Sequence, residues 1–210
     1  MKNAIEIRSL VKKYKDGFKL GPMDIEIPSG IIVGMIGENG AGKTTFIKSI
    51  LKIIKKDQGS IKIFDKDIDQ EEVKIKENIG VVLDDMFFPE ILNANDINSS
   101  TKDIYTSWDE DLFYNYLKEF DLPRNKTIKS LSKGMRKKLE IITALSHKPM
   151  LLILDEPTRN VSPLSNPVIR KVLKEFKGTI ISVSHDRKYI EEVIDKLYTL
   201  TPNGLILEKS

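Results

Sequence analysis

The chain has 210 residues, of which 40% are hydrophobic and 31% charged, a mixture that excludes a disordered polymer and suffices for one well-buried domain or a domain with a subdomain inserted. Thirty-four basic against 31 acidic residues leave a formal net charge of +3, too balanced to demand a nucleic acid partner. The absence of cysteine excludes a disulfide framework and suits a cytosolic protein, and neither a secretory leader nor an apolar run near the about 20 residues needed to span a bilayer is expected.

In chain order, Ala4 to Arg8 alternates like a half-buried strand and Asp24 to Ile27 repeats the pattern. Pro28-Ser29-Gly30 then turns the chain into the apolar run Ile31 to Ile36. Next comes Gly37-Glu38-Asn39-Gly40-Ala41-Gly42-Lys43-Thr44-Thr45, followed by the helical pattern Phe46 to Leu51. The gap between Gly37 and Gly42, closed by Lys43-Thr44, lets backbone N–H groups curl around a phosphate while the helix N-terminus adds its positive dipole. That geometry predicts Lys43 on the β and γ phosphates and Thr44 on Mg²⁺.

Ile61 to Phe64 and Ile79 to Leu83 read as two further strands with a short helix around Glu71 to Lys76 between them. From about residue 85 to 147 no strand is predicted, and Leu112, Phe113, Tyr116, Leu117 and Phe120 form a helical packing stripe. In the same stretch, Met86-Phe87-Phe88-Pro89 fits either a docking surface or ordinary subdomain core. Leu131-Ser132-Lys133-Gly134-Met135 opens a helix running from Met135 to Ser146. Ser132 is a plausible N-cap, and the glycine leaves backbone N–H groups free to meet an anion. The lysine-rich stretches Lys12-Lys13, Lys55-Lys56 and Arg136-Lys137-Lys138 read as solvated faces.

Met150 to Leu154 and Thr179 to Val183 are continuous apolar runs, the signature of strands covered on both faces. Asp155-Glu156-Pro157-Thr158 places two carboxylates at the end of the first run, where open α/β sheets put their ligands. There Asp155 would support Mg²⁺ through its hydration shell and Glu156 would polarise an attacking water. Val183-Ser184-His185-Asp186 sets a lone histidine beyond the second run. Helical periodicity covers Pro163 to Phe176 and Tyr189 to Lys196, and Asn203-Gly204 predicts a hairpin between Leu197 to Leu200 and Leu205 to Leu207.

The expected fold class is α/β, a P-loop NTPase core with a mostly parallel sheet flanked by helices, an antiparallel β edge at the N-terminus and an inserted helical subdomain. The single domain divides into a nucleotide-binding core, 1–84 and 148–210, and the insertion, 85–147.

With these motifs in this order, the chain resembles the nucleotide-binding subunit of an ABC transporter over essentially its whole length. The loop from Gly37 to Thr45 matches Walker A, Leu151 to Glu156 matches Walker B with its catalytic glutamate, and Leu131 to Met135 sits where the family has its LSGGQ signature. The resemblance implies ATP and Mg²⁺, Tyr14 stacked on adenine, and His185 as the switch histidine at the γ-phosphate. It further implies that Ser132 and Gly134 cap the phosphate bound by a second ATP-binding subunit, in a homodimer or heterodimer. A separate transmembrane permease, a peripheral place on the inner face of the cell membrane and no nucleic acid complete the expectation. Three positions depart from the pattern. Asp84 aligns with the Q-loop glutamine and could take a metal-bound water. Ser-Lys-Gly-Met replaces Ser-Gly-Gly-Gln, a form resembling exporters of the ABC-2 type. Arg159-Asn160-Val161-Ser162-Pro163 stands where the family has Ser-Gly-Leu-Asp-Pro, so Ser162 replaces the D-loop aspartate. A soluble ABC-type ATP switch in regulation or translation, with no permease, is the alternative reading.

Overall fold

The computed structural model describes residues 2–83 and 88–209, so Asp84, Met86 and Phe87 lie outside the described residues. Two sheets form the framework. The antiparallel one takes the order β2-β1-β4-β5 from β1 (Asn3–Lys13), β2 (Lys19–Pro28), β4 (Gln58–Ile63) and β5 (Lys66–Asp67). The other takes the order β10-β9-β3-β8-β7-β6 from β3 (Ile32–Ile36), β6 (Ile79–Val82), β7 (Leu151–Asp155), β8 (Thr179–Val183), β9 (Lys196–Thr201) and β10 (Gly204–Lys209). All its pairings are parallel except that of β9 with β10, the hairpin that Asn203-Gly204 predicted.

The continuous apolar strands are explained by cover on both faces. Leu151 and Ile153 of β7, with Ile181 and Val183 of β8, pack toward the antiparallel sheet and α1 (Lys43–Ile50). The alternate residues Leu152, Leu154 and Ile180 pack toward the opposite core. That second core also takes in α3 (Ala94–Lys102), α4 (Glu110–Glu119), α5 (Lys133–Ser146), α6 (Asn166–Glu175) and α7 (Arg187–Val193). α2 (Glu72–Lys76) contributes Ile75 to the first.

Within the helical stretch, Phe113, Leu117 and Phe120 of the predicted stripe are buried. Leu112 and Tyr116 instead line an open surface cleft with Met150 and Phe176. Phe88 packs against this helical core and lines a cavity of about 300 Å³ with Val82, Tyr105 and His147.

Some elements differ from their sequence outlines for local reasons. β1 runs well past Arg8 because bulges around Ser9, whose φ is +49°, break the two-residue period and let Leu10 and Val11 both bury. α6 starts only at Asn166, since Pro163 to Ser165 form a turn. α7 starts at Arg187, capped by the Asp186 carboxylate accepting from the Tyr189 N–H at 3.2 Å, and Lys196 begins β9 instead of ending the helix. The solvated-face reading fails at two lysines. Lys137 and Lys138 are 6% and 8% exposed. The Lys137 ammonium donates to the Leu83 carbonyl at 2.6 Å and pairs with Glu140 at 3.2 Å, which satisfies a charge that periodicity counted as solvated.

α5 meets the sheet closely at Gly80 of β6, where a Cβ would fall 2.5 Å from Leu152 Cδ2 and 2.7 Å from the Ala144 carbonyl oxygen. Gly80→Val is therefore expected to lower unfolding stability by about 1–3 kcal/mol through overpacking. Chemical denaturation measures this, and an unchanged midpoint would contradict the packing.

Candidate functional site

The site follows from strand register. Met35 of β3 pairs with Val183 of β8, and Val183 pairs in turn with Asp155 of β7, so three neighbouring parallel strands end on one line. Just past that line lie the glycine loop, His185 and Glu156, at the carboxyl edge where such sheets bind ligands.

Gly42 ends the loop at φ +102°, a conformation that glycine reaches without Cβ strain, and a Cβ there would lie 2.7 Å from Leu20 Cδ1. It caps α1 without a side chain, so the helix N-terminus presents backbone donors in place of a cap. Phe46, Ile47 and Ile50 anchor the other end of the helix in the core. The Lys43 ammonium donates to the carbonyls of Gly37 at 2.6 Å and Glu38 at 3.0 Å, which holds a cation inside the curl of the loop.

Two cavities share this loop. The first, of about 470 Å³, is lined by Tyr14, Asp16, Phe18 and the loop through Thr45. Tyr14 is 39% exposed, its ring is tilted against Phe18 with centroids 6.0 Å apart, and its hydroxyl lies 3.5 Å from Thr45 Oγ1. A flat, partly apolar ring at the mouth suits a nucleobase. The second cavity, of about 440 Å³, brings together Asn39, Lys43, Thr44, Asp155, Glu156, Arg159 and His185. Asn39, Lys43 and Thr44 border both cavities, which makes one trough running from an aromatic end to an acidic end.

Glu156 sits at φ +50°, a strained setting for a side chain of its size, held by its N–H donating to the Val183 carbonyl at 2.9 Å. His185 Nε2 lies 3.8 Å from Glu156 Oε1. Burial pushes the Glu156 carboxyl above its ordinary value, while His185 and Arg159 oppose that shift and Asp155 adds to it. No dense group of His, Cys, Asp or Glu able to hold a metal alone occurs among the described residues. Thr44 and Asp155 nevertheless face one cavity as hard oxygen donors, a set that fits Mg²⁺ arriving with phosphates.

The predicted signature residues go elsewhere. Ser132 caps α5, its hydroxyl accepting from the Met135 N–H at 3.2 Å, and neither it nor Gly134 lines the trough. Gly134 is buried where a Cβ would lie 2.6 Å from the Asn160 carbonyl oxygen, so the start of α5 is docked on the turn that follows Glu156. Four lining residues escaped the sequence reading as site residues: Asp16, Phe18, Arg159 and Val183. Phe18 lies across the Gly17 turn from Tyr14, a hint available in principle, whereas Arg159 had no spacing signal.

An ABC transporter family model matches residues 20–159. The chain belongs to the ABC transporter family. A putative ABC transporter ATP-binding protein of Archaeoglobus fulgidus is 35% identical, covering 93% of this chain and 86% of that protein. The bacitracin transport ATP-binding protein BcrA of Bacillus licheniformis is 32% identical over 100% of this chain and 70% of its own length. The dimeric post-hydrolysis structure of the ATP-binding cassette MJ0796, bound to ADP and phosphate, superposes with a TM-score of 0.86 at 22% identity over 98% of both chains, a likeness of fold. This ABC protein is thus an ATP-binding subunit and an ATPase.

Because its carboxyl is raised in the fold, Glu156 makes no contribution below the ordinary glutamate range and costs stability as pH rises from there through the raised value. The thermal midpoint of Glu156→Gln should therefore gain on the parent as pH rises from about 4, the ordinary glutamate range, and run parallel to it once the raised value is passed. A pH-independent difference in the nucleotide-free proteins would contradict the buried, raised carboxyl.

Proposed function

We propose that this chain is the ATP-hydrolysing subunit of an exporter, acting as a closed pair of ATP-binding subunits on the inner face of the cell membrane and driving a separate permease. The reaction is ATP + H₂O giving ADP and phosphate. The observation that carries the reading is the single trough bordered by Tyr14 at one end and by Asp155, Glu156 and His185 at the other, with Lys43 and Thr44 between. Tyr14 stacks on the adenine, the loop from Gly37 to Thr45 wraps the phosphates, and Lys43 leaves its two carbonyl partners to meet phosphate oxygens. Mg²⁺, held by Thr44 and Asp155, would supply charge neutralisation to the phosphates. Glu156 orients the water, and His185 steadies the terminal phosphate beside it.

Pairing is supported by what the trough lacks. Ser132 and the α5 N-terminus lie outside it, so they are available to a trough on another copy, and the fold neighbour MJ0796 is dimeric. No helix among the described residues is long and apolar enough to cross a membrane. Export is favoured by the Ser-Lys-Gly-Met signature and by the likeness to a bacitracin transport protein.

Lys43→Ala is expected to weaken ATP binding at least about 30-fold, the loss of about 2 kcal/mol of charge-assisted hydrogen bonding. Undiminished affinity in a titration would remove the loop from the binding site. Tagged Glu156→Gln, purified from native membranes with Mg-ATP, should retain nucleotide in a stable pair and bring down a polytopic membrane protein. Mass spectrometry that finds only soluble partners, in a preparation still holding ATP, would shift the function to a soluble switch.

A further inference from the structure

The turn after Glu156 holds a cation that the family pattern does not supply. Where the D-loop begins with serine in that pattern, this chain has Arg159, and Arg159 lines the acidic end of the trough with Lys43, Thr44, Glu156 and His185. Its backbone is fixed from three sides. The Arg159 N–H donates to the Glu156 carbonyl at 3.1 Å, Thr158 is buried at 6% exposure, and Asn160, at φ +61°, has its carbonyl packed over Gly134 of α5. Arg159 is an exposed residue that lines the cavity. Its charge already acts on the Glu156 carboxylate, one of the influences opposing the effect of burial there.

Guanidinium is a planar fork of donors that matches two oxygens of a phosphate, and it keeps its charge at every physiological pH. His185 carries charge only when protonated. Arg159 is therefore a permanent positive group on the Glu156 side of the cleft.

We propose that Arg159 is a catalytic residue of this ATPase, acting in cis on the terminal phosphate. This rests on the function proposed above and adds to it a residue. In the step, the water oxygen bonds to the terminal phosphorus, the bond from that phosphorus to the ADP oxygen breaks with its electron pair leaving on ADP, and the water proton passes to Glu156 and on to solvent. Arg159 exchanges no proton. It donates hydrogen bonds to the equatorial oxygens as their charge redistributes, a contribution made mainly in the transition state and to a lesser degree to bound ATP. ADP, which lacks that phosphoryl group, gains nothing from it.

The test compares the full-length parent, Arg159→Ser and Arg159→Lys, each assayed for Mg-ATP turnover and for the separate affinities of ATP and ADP. Arg159→Ser should lower kcat by about 100-fold, weaken ATP binding severalfold and leave ADP affinity and the thermal midpoint unchanged. Arg159→Lys, which keeps charge without the fork, should recover part of the loss. Parental turnover with an unaltered ratio of ATP to ADP affinity in Arg159→Ser would overturn the assignment. Equal losses for both nucleotides, or a lowered midpoint, would overturn it too, by assigning Arg159 to holding the turn. Lys43→Ala serves as the control. If it loses ATP while Arg159→Ser behaves as the parent, only this inference falls, and if it binds ATP normally, the underlying function falls with it.

Discussion

Three parallel strands that end on the same line are the constraint on which the rest of the molecule depends. With Met35, Val183 and Asp155 in one row, the next residue or two of each chain segment must leave the sheet at the same edge. A glycine loop, a histidine turn and an acidic turn are thereby crowded into a single trough. A slip of one residue in β7 would exchange Leu151 and Ile153 with Leu152 and Leu154, turning the wrong set toward each core. The two-sided apolar cover thus fixes the register, and the register fixes the site.

The acidic turn shows how strain is maintained. Glu156 holds a positive φ that a free chain would relax, and it does so because its N–H is bound to β8 and the following residues are clamped against α5. Such backbone persists only where surrounding structure over-determines it. The clamp also joins the end of β7 to the start of α5, since the Asn160 carbonyl leaves room for no side chain at position 134. Lys137, three residues further along α5, binds the carbonyl that ends the β6 segment at Leu83. The helix α5 is therefore tied to two strand ends by contacts that a change in either would disturb.

Charge is managed differently in the middle of the trough and at its acidic end. At the glycine loop, the Lys43 ammonium is held by the carbonyl oxygens of Gly37 and Glu38. At the acidic end, burial works against ionised Glu156, and nearby cations restore part of what burial removes. A carboxylate kept ionisable but poorly hydrated is suited to polarising a water molecule.

Much was legible in the sequence because it is encoded over short spans. The glycine loop, the apolar runs of β7 and β8, the acidic pair and the N-cap at Ser132 each depend on neighbours a few residues away, where periodicity and turn chemistry act. The misreadings arose where distant segments decide. Lys137 and Lys138 looked solvated because helical periodicity carries no information about the Leu83 carbonyl that meets Lys137 or about Ser165, 3.5 Å from the Lys138 ammonium. Helix propensity carried Pro163 to Ser165 into α6, though the chain there is still completing the turn after Glu156. Sequence by itself determined the local phosphate-binding chemistry and the alternation that builds two cores. Only the tertiary structure decided that β3, β8 and β7 end in register, that Arg159 lines the acidic end of the trough, and that Ser132 stays outside it, because each depends on pairing between residues far apart in the chain.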